Sequence, residues 1–211
     1  MIYQDDYLTA DGQYGIDTMD LIVAAIGHAA ALRRFEIIER HIGVGTVLDV
    51  GCGSGEGLVA ARDRGWEGVG VEPVKASADR ARERGFDVRA SSLDDADLPR
   101  HAFDVVVAAH VLEHMLRPVE LLASMVRHAR PGGLIVVEVP NWNHPERRAR
   151  GRDWEHLRPN EHAMHFTPTT LRRTMERAGL KPDVRTETVV ERKPVMDRIG
   201  LGFAVVATAS V

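Results

Sequence analysis

The feature that most restricts this chain is Val47-Leu48-Asp49-Val50, a short and mostly apolar run closed at once by glycines at 51, 53, 55 and 57. Such a run bounded by turn residues reads as a buried strand. Glycine clears side chains from the turn that follows and lets backbone approach a ligand, while the next helix offers unpaired N–H groups at its start. The pattern then alternates. A helix runs to about Arg64, a strand over Gly68–Val71, a helix over Lys75–Arg84 and a strand over Phe86–Ala90. A second half repeats it, with a strand at Phe103–Ala108, a helix at Pro118–Arg130 ended by the turn Pro131-Gly132-Gly133, and a strand at Leu134–Val139. Strands this apolar on consecutive positions are covered on both faces, as in a parallel sheet with helical crossovers. Thr167-Pro168 opens a further helix, and Val184–Val190 and Phe203–Thr208 read as two last strands. Ahead of the sheet, Leu21, Ala25, Leu32, Phe35, Ile38 and Ile42 recur at helical spacing.

Composition narrows the function classes. With 27 basic against 31 acidic residues the net charge is −4, so an extended nucleic acid is not an expected partner. The acidic first residues lack a secretory signal's pattern, and the longest apolar run, Leu21–Leu32, is interrupted and too short to span a bilayer. The single cysteine, Cys52, forms no internal disulfide. A cytoplasmic protein with no membrane partner is expected.

Ligands of an open parallel sheet bind beyond the carboxyl ends of its strands, which is where the glycine turn falls. A dinucleotide fingerprint needs glycines at the first, third and sixth positions; counted from Gly51 the sixth is Glu56, and from Gly53 it is Leu58. The spacing therefore disfavours NAD and suits a ligand without phosphates. Glu72 ends the second strand, where a carboxylate accepts hydrogen bonds from ribose hydroxyls. A nucleoside is implied.

At this point the chain resembles the class I S-adenosylmethionine (SAM)-dependent methyltransferases. The resemblance rests on Val47 to Gly55, Val69-Gly70-Val71-Glu72-Pro73, Ser91 to Pro99 with Phe103-Asp104-Val105-Val106, His110-Val111-Leu112-Glu113-His114 and Arg130-Pro131-Gly132-Gly133-Leu134, and covers roughly residues 46–180. It implies a three-layer Rossmann-like α/β sandwich with a mostly parallel seven-stranded sheet, order 3-2-1-4-5-7-6, and an antiparallel C-terminal strand. It implies SAM as cofactor and S-adenosylhomocysteine as product. Asp49 and the backbone of Gly51, Cys52 and Gly53 would hold the methionine portion, Glu72 the ribose, Ser92 and Leu93 the adenine, Ala109 with His110 would lie beneath the sulfonium, and Pro73 would belong to the cofactor site. The expected layout is one domain: a helical lid segment at 1–42, carrying Tyr3, Tyr7 and Tyr14, then a SAM-binding domain at 43–211 with an acceptor-site insertion at 140–166.

Methyl transfer to a hydroxyl or protonated amine needs a base, and histidine has the right pKa. His165, His114 and His162 are the candidates, the first two being favoured. Asn141, Trp142 and Trp154 are the candidate acceptor contacts, and the run Arg147, Arg148, Arg150 and Arg152 could meet an acidic group on the acceptor. The spacing of His110 and His114, and of His162 and His165, permits a metal site without diagnosing one, and no metal is assigned. The expected function is methylation of a hydroxyl or amine on a small-molecule acceptor, with a homodimer left open. Methylation of protein or RNA, and a non-catalytic SAM-binding module, are the alternatives.

Overall fold

The computed structural model describes residues 18–187 and 204–211. Helix α1 (Thr18–Ile38) precedes β1 (Thr46–Val50), α2 (Glu56–Asp63), β2 (Glu67–Val71), α3 (Lys75–Glu83) and β3 (Asp87–Arg89). The second half comprises β4 (Phe103–Ala109), a 3-10 turn at Leu112–His114, α4 (Pro118–His128) and β5 (Ala129–Pro140). Next come α5 (Pro145–Arg150), α6 (Pro168–Arg177), β6 (Asp183–Glu187) and β7 (Ala204–Ser210). The seven strands form one sheet in the order β3-β2-β1-β4-β5-β7-β6. All neighbours are parallel except β7, which runs antiparallel to β5 and β6. The parallel part agrees with the alternation of strands and helices, and the order with its antiparallel β7 agrees with what the family resemblance implies.

Alternation within the central strands explains the three layers, because successive side chains leave opposite faces of a strand. Val106 and Ala108 of β4, with Ile135 and Val137 of β5, pack on one face with Leu122 and Met125 of α4 and Leu171 and Met175 of α6. Val105, Val107, Leu134 and Val136 pack on the other with Phe35, Ile37 and Ile38 of α1 and Ala60 and Ala61 of α2. α1 is thus a structural layer over residues 26–38, and its buried face holds Ile26, Ala31, Phe35, Ile37 and Ile38, whereas Ala25 is exposed. Tyr3, Tyr7 and Tyr14 lie outside the described residues.

One local expectation fails. Pro131-Gly132-Gly133 does not end the helix: α4 stops at His128, where Ala129 turns extended, and the triplet bulges out of β5. Phe103 pairs with Ala129 but Val105 pairs with Leu134, so β5 carries extra residues that β4 does not match. The left-handed Gly132 and its N–H bond to the Val211 carbonyl hold the bulge. α6 does start at Pro168, capped reciprocally by Thr167 and Thr170. Among the described residues no helix is long and apolar enough to cross a membrane.

Candidate functional site

The strand ends divide into two neighbouring regions. Beyond β1, β2 and β3 lies a cavity of about 310 Å³ whose lining includes Gly51, Pro73, Ser92, Leu93 and Met115, a volume at the low end for small-molecule sites. The turn after β1 is fastened to β2, because the N–H groups of Gly51 and Cys52 both donate to the Val71 carbonyl. Gly51 sits at φ 72°, and a Cβ there would stand 2.6 Å from a methyl of Val111, so the position has room only for glycine. Glu72 is buried and joins the loop to α3: Gly53 N–H donates to Oε2 at 2.9 Å and Val74 N–H to Oε1 at 2.8 Å. Burial raises its pKa, against the lowering effect of those two bonds.

Of the expected cofactor residues, Gly51, Pro73, Ser92 and Leu93 line this cavity. Asp49 stands behind the loop, buried, with Gly57 so close that a Cβ there would meet Asp49 Oδ2 at 2.3 Å. Among the described residues no hydrogen-bond donor reaches its carboxylate, and burial pushes its pKa to about 6, with Arg34 opposing and Glu72 and Glu56 assisting. Cys52 offers only backbone: its side chain packs with Leu58, Ala78, Ala81 and Val88, and burial raises its pKa far above the usual thiol range. The Ser92 hydroxyl bonds to Asp95 at 2.5 Å, which orders the loop after β3. Ala109 ends β4, and His110 follows in the left-handed region at φ 56°, a conformation uncommon for residues with a Cβ and found at functional sites.

His110 opens the second region, made of side chains. Its Nδ1 lies 3.3 Å from Glu113 Oε1 and its Nε2 3.4 Å from Glu138 Oε1. Carboxylates only accept, so both ring nitrogens donate and the ring is an imidazolium. Burial opposes that charge, but the bonds to Glu113 and Glu138 outweigh it and raise the pKa, less strongly for a ring whose side chain is 46% exposed. Glu138 also accepts from Arg34 Nε at 2.6 Å. Burial would raise its pKa, yet Arg34 and His110 hold it down at about 2. Arg34, Glu138, His110 and Glu113 therefore form an alternating chain of charges, and the three outside His110 are buried.

The remaining histidines cluster beside it. His114 Nδ1 lies 3.0 Å from the Glu161 carbonyl, His162 Nδ1 lies 2.9 Å from the His156 carbonyl, and the His114 and His162 rings meet edge to face at 4.8 Å. Burial, reinforced by His114 and against the pull of Glu113, lowers the His162 pKa to about 4. His165 stacks on Trp142 at 4.3 Å, and burial lowers its pKa as well. The excursion carrying these groups is tied at its ends, where Asn141 bridges Phe166 and Trp142 N–H donates to the Phe166 carbonyl. Asn141 is committed to that turn, its Oδ1 accepting from Asn143 N–H, and Trp154 is buried against Trp142. Trp142 is half-buried, with the Arg147 guanidinium 4.3 Å from its ring. Arg150 pairs with Glu146 and Glu155, while Arg148 and Arg152 are exposed.

Arg34, Glu113, Glu138 and His156 are not among the site residues expected from the sequence. Glu138 left a signal, as the one acid in the apolar run Leu134–Val139, and Glu113 lay within a quoted motif. Arg34 and His156 left none, since only the packing of α1 and the closure of the excursion bring them in.

Comparison with known proteins agrees with this architecture. Residues 26–184 match the family model described as a methyltransferase domain. A probable S-adenosylmethionine-dependent methyltransferase of Mycolicibacterium smegmatis is 35% identical over 97 residues, which is 45% of this chain and 38% of that protein. A ubiquinone biosynthesis O-methyltransferase of a Bradyrhizobium species is 32% identical over 123 residues, 54% of this chain and 48% of that protein. The matched stretch thus spans less than half the length of these curated relatives. The crystal structure of a SAM-dependent methyltransferase from Archaeoglobus fulgidus superposes with a TM-score of 0.69 at 23% identity, covering 92% of this chain and all of that one. The chain belongs to the methyltransferase-domain family and has the class I SAM-dependent methyltransferase fold.

Proposed function

We propose that the domain transfers a methyl group from SAM to a hydroxyl or amine of a small-molecule acceptor. The observation that carries this reading is the cavity beyond β1–β3, where Gly51, Pro73, Ser92 and Leu93 converge and the buried Glu72 braces the loop. Its chemistry suits a nucleoside with a cationic amino-acid tail. Leu93 gives an apolar wall for a base, Glu72 keeps lone pairs beyond its two backbone bonds for ribose hydroxyls, and the buried Asp49 carboxylate, to which no donor is bonded among the described residues, would accept an ammonium. When bound, SAM supplies a methyl group made electrophilic by its sulfonium.

The chain's own part is to align and to take a proton. Orienting the reactants can contribute roughly 7–11 kcal/mol to catalysis. Ala109 and the strained His110 would lie beneath the sulfonium at the end of β4, and the charged chain behind His110 fixes its ring. His110 holds its proton and is no base. His165 is the proposed base, because burial lowers its pKa and Trp142 fixes its plane. The acceptor would lie against Trp142 and His165. The ubiquinone-pathway relative acts as an O-methyltransferase, which supports a hydroxyl acceptor. Titration calorimetry with SAM and NAD in parallel tests the cofactor: saturable SAM binding with none by NAD is expected, and the reverse refutes the reading. A panel of phenols and amines with SAM then tests the acceptor class through release of S-adenosylhomocysteine.

A further inference from the structure

The spacing of His110, His114, His162 and His165 permits a metal quartet without diagnosing one; the structure gathers a different set. Glu113, His114 and His162 each bring one ligand atom to a common point, all within 4.8 Å of one another. Two ligands of one ion with bonds near 2.1 Å stand about 3–4 Å apart, so a contraction of roughly 1 Å at the widest edge closes the set. We infer that these three residues bind a divalent first-row transition cation through one carboxylate and two imidazoles.

Two independent observations support the site. Glu113 is 1% exposed; its Oε1 is engaged by His110, while Oε2 has no hydrogen-bond partner among the described residues. A buried carboxylate oxygen in that condition needs a cation or a donor. The second is the orientation of the rings. Each Nδ1 faces a backbone carbonyl, Glu161 for His114 and His156 for His162, and since a carbonyl only accepts, Nδ1 carries the proton. That tautomer places the lone pair of each ring on Nε2, and a carbonyl behind the far nitrogen is the usual support for a metal-bound histidine. His110 faces two carboxylates as a cation, and His165 lies on Trp142, so neither belongs to the set.

The donor set selects the ion. Two imidazoles with one carboxylate suit Zn²⁺, Co²⁺, Mn²⁺ or Fe²⁺ better than Mg²⁺ or Ca²⁺, which prefer oxygen, and three protein ligands leave positions open for water or a substrate oxygen. None of the three residues is in the glycine loop, although Val111 and Met115 on either side of Glu113 and His114 line the neighbouring cavity.

Cobalt(II) titration of protein prepared without a histidine tag and stripped with chelator provides the test. One equivalent should bind, with ligand-field absorption in the visible and an elevated melting temperature under saturating Zn²⁺. His162→Ala should weaken binding by more than about 100-fold, since losing even an outer-sphere partner of a metal costs 10–100-fold. Glu113→Gln should do likewise, whereas His165→Ala should leave the affinity within about threefold of wild type. If Glu113→Gln fails to fold, the wild-type titration and His162→Ala decide the matter. Absence of a saturable cobalt spectrum from wild-type protein overturns the site, and so does a bound equivalent that survives His162→Ala.

Discussion

At the β1–β3 edge the glycine turn is held by backbone, with Gly51 and Cys52 tied to Val71 and Gly53 and Val74 tied to Glu72, while Val111, Met115 and Leu121 from beyond β4 close the cavity over it. At the β4–β5 edge they are side chains drawn from α1, the turn after β4, β5 and the 140–166 excursion, with Arg34 and Glu138 104 positions apart. A backbone-built site tolerates no added Cβ and little change of turn. A site built from side chains depends on balanced charge. Different substitutions should therefore damage the two edges, and by different amounts.

The largest effect is expected at the charged edge. Arg34→Leu leaves Glu138 buried with His110 as its remaining cation, and breaking a buried pair by removing one partner costs about 3–5 kcal/mol. Urea denaturation should show that loss, and Arg34→Leu/Glu138→Leu should recover much of it. A loss below about 1 kcal/mol for the single variant would mean that charge balance does not organise this edge.

Gly51→Ala is the matching assault on the backbone-built edge. It forces a left-handed φ of 72° on a residue with a Cβ and drives that atom against Val111. Strain of this kind costs about 1–3 kcal/mol, relieved by moving the loop. SAM affinity, read by calorimetry, should fall by at least about tenfold, in line with 1.4 kcal/mol per decade. Cobalt binding at Glu113, His114 and His162 should persist, and loss of both together would show that the edges are one cooperative unit.

Acid should separate the edges further. Burial raises Asp49 to about 6 from an ordinary 3.8, so the folded apo protein holds this proton more tightly than the unfolded chain does. Its contribution to stability therefore declines as pH rises from about 4 to 6, and the full cost of the buried charge is present above that window. A ligand ammonium needs the ionised form. SAM affinity should accordingly be flat at pH 7–8 and drop by about tenfold per unit below 6. Asp49→Asn should make the apo protein more stable at pH 7.5 while weakening SAM binding. A variant that is less stable at that pH would identify Asp49 as a structural carboxylate.

How much of each edge was legible follows from the same contrast. Val47–Gly57 and Glu72 are local signals, in which the strand, the turn and the strand end each announce themselves within a few residues, and the sheet order followed from the family those motifs resemble. The bulge at Pro131–Gly133 was misread as a helix stop because proline and glycine mark a turn without saying whether a strand resumes pairing on both sides of it. The charged edge was mostly hidden. Nothing near Arg34 in sequence distinguishes it from Arg33, which pairs with Glu36 on an exposed surface, until α1 is laid on the sheet. Asn141 and Trp154 are expected as acceptor contacts from their place in the 140–166 segment; in the fold Asn141 Oδ1 caps a turn and Trp154 is buried, packing that sequence alone does not announce.

The smallest effect should come from the exposed members of the arginine run on the 140–166 excursion. Arg147 is spent on Trp142 and Arg150 on Glu146 and Glu155, leaving Arg148 and Arg152 exposed on the excursion. Arg148→Glu and Arg152→Glu should each change stability by less than about 0.5 kcal/mol, as surface substitutions do. If the acceptor carries a carboxylate or phosphate steered by this face, the double reversal raises its KM at low salt and leaves kcat unchanged, with the difference shrinking as ionic strength rises. An unaltered KM at low salt would confine acceptor recognition to Trp142, His165 and the histidine cluster beneath them.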